Sequence, residues 1–119
     1  MLQHETDNCA QLPRAEVIAQ LNDTLRKTGT GGTVMVTQSV IYLPGFDAAV
    51  LAAALAGYDA FDPDNDPHGE RDFGDLSLWG ADLLWKIDYF DAGFQFGSDD
   101  PANGSVTRRV LTVMSAAEW

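Results

Sequence analysis

The sequence predicts an α+β fold: two helices packed on one face of a small antiparallel sheet, in the order α-β-α-β-β-β. Three observations predict it. Apolar residues recur at helical spacing from Pro13 to Lys27, and Phe46 to Tyr58 is alanine-rich with Asp47 in its first turn. The C-terminal half instead alternates apolar and polar residues through segments joined by a glycine-containing turn. At 119 residues, 45% hydrophobic and 21% charged, the chain suits one domain over 1–119, with residues 1–11 as a flexible N-terminal tail.

Pro13 fits a first helical turn, where its missing N–H costs nothing, and Glu16 complements the positive end of the dipole. Val17, Ile18, Leu21 and Leu25 make the apolar stripe, while Arg14, Gln20, Asp23 and Lys27 face away. Arg26 and Lys27 close the last turn and Gly29 is a left-handed cap. Gly31 and Gly32 then precede a β-branched strand, Thr33 to Thr37. A phosphate loop has the strand first and a Lys-Ser/Thr after the glycines, so these glycines read as a cap and a turn. Val40 to Leu43 continues the strand after a kink, and Pro44-Gly45 ends it. In the second helix Val50, Leu51, Ala54, Leu55 and Tyr58 form the buried stripe, and Ala49, Ala52, Ala53 and Ala56 permit close approach to the sheet. Phe73–Trp79 and Leu83–Phe90 make a hairpin around Gly80-Ala81-Asp82, and Val106 to Met114 is the last strand. Leu83, Trp85, Ile87 and Tyr89 alternate with Leu84, Lys86, Asp88 and Phe90, so one sheet face meets the helices and the other is free.

Eighteen acidic residues against seven basic give a formal net charge of −11. That balance argues against direct binding of nucleic acid or anionic lipid, both of which need cations at the contact. It permits a basic partner or a bound cation. The longest apolar stretch, Ala48 to Ala56, is far too short to span a bilayer, and the first ten residues carry Glu5 and Asp7 and no long apolar run, unlike a secretory signal. Cys9 alone cannot close an internal disulfide, which fits a reducing cytoplasm. The charge is also focused. Asp59 to Asp100 holds twelve acids and two cations, Arg71 and Lys86, a net of −10, whereas the other 77 residues net −1. Such crowding is unfavourable unless something cationic relieves it. Pro63, Pro67 and pairing with Arg71 or Lys86 should keep the Asp62–Asp72 loop ordered.

Within that segment His68, Glu70 and Asp72 alternate, and in extended backbone they would share a face. With Asp62, Asp64 and Asp66 they could offer oxygen ligands to a cation. The loop is not an EF-hand, because Pro67 occupies the sixth position and Phe73 the twelfth. One His without a nearby Cys falls short of a zinc site. His68, Glu70, Asp72, Lys86 and Asp88 are the alternative constellation, that of a small metal-dependent hydrolase or nuclease; however, Leu84-Trp85-Lys86 lacks the usual Asp/Glu-x-Lys unit, and a plain cross-strand ion pair is the commoner use of such residues. No Gly-x-Ser-x-Gly elbow exists. The leading expectation therefore has no catalytic residue, no metal and no cofactor. Trp79, Trp85, Tyr89, Phe90, Phe94 and Phe96 fall in the acidic half, and acids interleaved with aromatics describe a protein interface.

Three strings carry a resemblance: Asp64-Asn65-Asp66-Pro67-His68-Gly69-Glu70-Arg71-Asp72-Phe73-Gly74, Trp85-Lys86-Ile87-Asp88-Tyr89-Phe90-Asp91 and Gly97-Ser98-Asp99-Asp100-Pro101. They resemble a bacterial domain-of-unknown-function family of small acidic proteins, often encoded on mobile elements, from about Ile18 to Trp119. That family has no established activity, so the resemblance transfers no catalytic residue; it implies a setting in which small acidic proteins disarm host defence. Combined with the charge, it leads to the expectation of a cytoplasmic, non-enzymatic inhibitor of a basic nucleic-acid-binding bacterial protein or complex. The residues expected to bind that partner are Asp62, Asp64, Asp66, Glu70, Asp72, Asp75, Asp88, Asp91, Asp99 and Asp100.

Overall fold

The computed structural model describes residues 12–119, so the N-terminal tail and Cys9 lie outside the described residues. Helix α1, Arg14–Thr28, starts on the Pro13 carbonyl, which accepts from the Glu16 and Val17 amides, and ends at Gly29, whose N–H reaches the Leu25 carbonyl at 2.8 Å with φ 75°. Its buried side is Ile18, Ala19, Asn22, Leu25 and Arg26. The expected stripe is therefore rotated: Val17 and Leu21 sit at its half-buried margin, and two polar residues turn inward.

Strand β1, Thr33–Val36, is followed by one helical turn, α2, Gln38–Ile41, where the sequence predicts more strand. The Thr37 amide makes a last bond to the Val113 carbonyl, and its own carbonyl then accepts from the Val40 and Ile41 amides at 3.1 Å. The turn drives Val40 fully into the core. Helix α3, Ala48–Ala56, is capped by Asp47, whose carboxylate accepts from the Ala49 amide at 2.8 Å. Leu51 and Leu55 are buried, but Val50, Ala49, Ala52 and Ala53 face solvent, so the alanines do not bring the helix onto the sheet.

Strands β2, Phe73–Leu78, and β3, Ala81–Phe90, form a hairpin through a two-residue turn, tighter than expected. Trp79 and Gly80 both take positive φ, 54° and 72°, the pattern whose twist matches paired strands. Glycine adopts it freely. Trp79 is held there by its ring, tilted against Phe46 at 5.3 Å. Strand β4, Arg108–Ser115, leaves Val106 outside and exposed, and a 3-10 turn, Ala116–Glu118, closes the chain.

The sheet order is β1-β4-β3-β2. β2, β3 and β4 pair antiparallel, but β1 runs parallel to β4, so the sheet is mixed, not purely antiparallel. Parallel neighbours need a long crossover, which the two helices and the loop between β1 and β2 supply. Among the described residues three helices and four strands thus make an α+β fold whose core joins Leu83, Trp85 and Ile87 of β3 and Leu111 and Val113 of β4 to Leu25, Val40, Leu51 and Leu55. The other sheet face is less bare than the alternation implies. Val110 and Met114 are buried there, and Trp119 lies against Phe73 at 5.1 Å. Among the described residues no helix is long and apolar enough to cross a membrane.

Candidate functional site

The acidic loop between α3 and β2 is folded by its own acids. The Asp62 carboxylate accepts from the Asp64 and Asn65 amides at 2.8 and 2.9 Å, and the Asn65 side chain bonds the Asp62 amide and the Ala60 carbonyl. Asp66 accepts from the Glu70 and Arg71 amides, both at 3.1 Å. Gly69 and Arg71 take positive φ, 70° and 53°, so His68 to Asp72 is turned and does not extend into the shared face expected of it. Nor does Arg71 pair with loop acids. It reaches across to α1, donating to Asp23 at 2.8 Å and to Glu16 at 3.3 Å.

Beneath the loop lies a buried polar chain. Asn22, fully buried, donates to the Tyr89 hydroxyl at 2.8 Å and to the Glu70 carbonyl at 3.0 Å. Tyr89 in turn donates to the Glu70 carboxylate at 2.9 Å. Arg109, 2% exposed, donates to Asn22 at 2.8 Å and to the Pro101 carbonyl, and its guanidinium lies 5.1 Å from the centre of the Tyr89 ring. Burial pushes the Tyr89 phenol well above its usual range, and the Asp72 and Glu70 charges add to the push. Burial also pulls Arg109 down, against the opposing charges of Tyr89 and Glu70. Arg26 binds the carbonyls of Leu55 and Tyr58 at the end of α3, and Asp23 at 3.0 Å. Asn22 and Arg26 stand on the α1 stripe four and eight residues after Ile18. That polar interruption of an apolar face is the signal in the sequence, and hydrophobic periodicity alone does not report it.

The ten expected partner-binding acids divide by exposure. Asp62, Asp64, Asp75 and Asp99 are exposed; Asp66, Glu70, Asp72, Asp88, Asp91 and Asp100 are half-buried. Asp91 accepts from the Gly93 and Gln95 amides, Asp100 pairs with Arg14 at 2.9 Å, and Asp88 pairs with Lys86 at 2.6 Å along its own strand, not across strands. By register Asp75, Asp82 and Asp88 share the outer face of the β2–β3 hairpin. Burial raises the Tyr58 hydroxyl, and the nearby Asp75 and Asp62 charges raise it further, so hairpin and loop acids act on one group. Among the described residues the side chains of Asp64, Asp75 and Asp99 form no ion pair, and the Asp75 carboxylate lies beside the Tyr58 hydroxyl. Among the described residues no three His, Cys, Asp or Glu side chains gather as metal ligands do, and of the alternative constellation Lys86 pairs with Asp88 while Glu70 and His68 lie near enough to act on Asp72.

A family model described as a protein of unknown function, DUF3768, matches residues 36–118. The chain belongs to this family. The DUF3768 span takes in the acidic loop, the hairpin and β4, but it is narrower than the expected Ile18–Trp119 and leaves α1, with Asn22, Asp23 and Arg26, outside. No curated protein and no solved structure matches the chain.

The network gives the stability a defined pH response. The Asp72 carboxyl is raised by burial first and then by the Glu70 and Asp66 charges, with His68 opposing. A carboxyl raised in the folded state binds more protons there than in the unfolded chain, so its ionisation costs stability above the folded pKa. That cost fades as pH falls towards the unfolded value of about 3.9. Asp72→Asn is therefore expected to be more stable than wild type at pH 7, with the difference shrinking as pH falls from 7 to 4. Urea titrations across that range check it. Glu118 behaves oppositely. The Ser39 hydroxyl, the Ser115 amide and the Thr37 hydroxyl hold it at about 2, so what it contributes is present above the unfolded pKa and lost only in strong acid.

Proposed function

We propose that this chain is a non-enzymatic inhibitor that docks on a basic, nucleic-acid-binding bacterial protein, with its carboxylates occupying a Lys/Arg groove in place of phosphates. The one observation that carries the reading is the set of exposed acids Asp64, Asp75 and Asp99, none paired with a cation among the described residues, on a segment of net charge −10. The buried chain under the loop supports it, because carboxylates on a pinned frame lose little freedom on docking. The mobile-element setting implied by the motif resemblance narrows the class to counter-defence, of the anti-CRISPR or anti-restriction type, acting in the cytoplasm. The remaining acids divide the labour: Asp62 and Asp66 fold the loop, while the exposed carboxylates steer the encounter.

That division selects the test. Reversing Asp62 or Asp66 would break the loop itself, so the informative variant is Asp64→Lys, Asp75→Lys and Asp99→Lys together. Its association with a captured cationic partner is expected to slow at least tenfold at low salt, and the wild-type rate should fall steeply as salt rises, as steered encounters do. Stopped-flow or biosensor kinetics measure both. An association rate unchanged by the triple reversal contradicts the proposal.

A further inference from the structure

A cavity of about 510 Å³ opens where the approach to β1, the start of β4 and the turn after β3 meet, with Gly31, Gly32, Phe94, Gly104, Arg108 and Arg109 among its walls. In a chain of net charge −11, no carboxylate among the described residues lines it. Arg108 is exposed there, and its guanidinium forms no ion pair or hydrogen bond among the described residues. The amides of Gly31, Gly32 and Gly104 likewise donate to nothing among the described residues. Gly32 has to be glycine: a Cβ there would come within 2.5 Å of the Arg109 carbonyl, so backbone itself forms this wall. At the rim Phe94 takes φ 59°, a region large aromatics seldom occupy, and its ring is 55% exposed. Its amide donates to the Asp91 carbonyl at 3.0 Å, and one side of the ring is tilted against Phe90 at 6.1 Å while the rest stays exposed. Backbone strain of this kind recurs at ligand-binding sites.

We infer that this cavity binds a small phosphate-bearing ligand with a planar ring, a nucleoside monophosphate by class. The forked guanidinium of Arg108 matches a tetrahedral anion with several acceptor oxygens, and the glycine-built wall leaves room for it beside the backbone. Phe94 supplies the face on which a base stacks. Its ligand carries charge of the opposite sign to the partner of the acidic docking surface.

Calorimetry on the full chain with AMP, inorganic phosphate and adenosine tests it, with amide NMR shifts reporting the location. AMP is expected to bind with shifts at Gly31, Gly32 and Gly104, and phosphate and adenosine each at least tenfold more weakly. Arg108→Gln, at an exposed position that leaves the core intact, should weaken AMP at least tenfold, with circular dichroism confirming the fold. Phe94→Ala should weaken AMP several-fold and leave phosphate unchanged. No saturable AMP binding at millimolar concentration, or equal affinity in Arg108→Gln, overturns the site; phosphate binding as tightly as AMP overturns the assignment of the ring.

Discussion

Trp85→Ala is expected to lower the free energy of unfolding by about 4 kcal/mol, the usual range for emptying a buried aromatic site. Trp85 is fully buried at the middle of β3, where the Tyr58 and Phe61 rings meet it edge-on at 5.4 and 6.1 Å and the Arg26 guanidinium lies 5.9 Å from its centre. Its indole fills the space above Gly74 so closely that a Cβ there would lie 2.5 Å from Nε1. The neighbours cannot collapse into the void, because Tyr58 and Phe61 begin the acidic loop and Arg26 is bound to the end of α3. A loss of this size takes a large share of the stability of a domain this small. Urea denaturation reads it directly. A loss under about 1 kcal/mol would mean the site repacks, contrary to this description.

Asp23→Ala is expected to cost about 2–3 kcal/mol, somewhat below the usual figure for breaking a buried pair because Asp23 keeps partial exposure. Its carboxylate serves two guanidiniums, Arg26, which is almost fully buried, and Arg71 of the loop. Burial alone would raise the Asp23 carboxyl, but hydrogen bonds from Arg71 and Arg26 outweigh it and hold the group below its usual value. The contribution is therefore present above an unfolded pKa of about 3.9 and lost as pH falls through the lowered folded one. Removing the carboxylate leaves Arg26 buried without its counter-charge and lets Arg71 go. Hydrogen exchange should accordingly speed up at the Glu70 and Arg71 amides, which bond Asp66 in the loop Arg71 anchors. A loss below about 0.5 kcal/mol, the value of a surface pair, together with unchanged exchange, would contradict the anchoring role.

The elements governed by local chemistry were legible in the sequence. Gly29 closes α1, Asp47 caps α3, and the alternation of β3 assigns Trp85 and Lys86 to opposite faces. What was not legible depends on partners distant in sequence. Val40 and Ile41 have strand character, yet a turn on the Thr37 carbonyl buries Val40 as helix, because burial competes with pairing for β-branched residues. The parallel pairing of β1 with β4 is a matter of topology, which periodicity does not report. Within the candidate site, composition located the acidic segment but could not separate acids that fold the loop from acids that stand free. Asp62 and Asp64 look alike in sequence, and only the turn geometry makes Asp62 an acceptor for two amides. Asp23 was expected to face away, and its role appears only once Arg71, 48 residues on, reaches it.

The central claim, that the exposed acids replace nucleic acid on a cationic protein, is tested most directly by capture and displacement. The chain and its Asp64→Lys, Asp75→Lys, Asp99→Lys variant are immobilised and exposed to a bacterial extract at low salt, and bound proteins are eluted with duplex DNA, then with RNA. Wild type is expected to hold a nucleic-acid-binding protein that one of these competitors releases and that the variant does not retain. Proteins retained equally by both chains, or undisturbed by either nucleic acid, would contradict it.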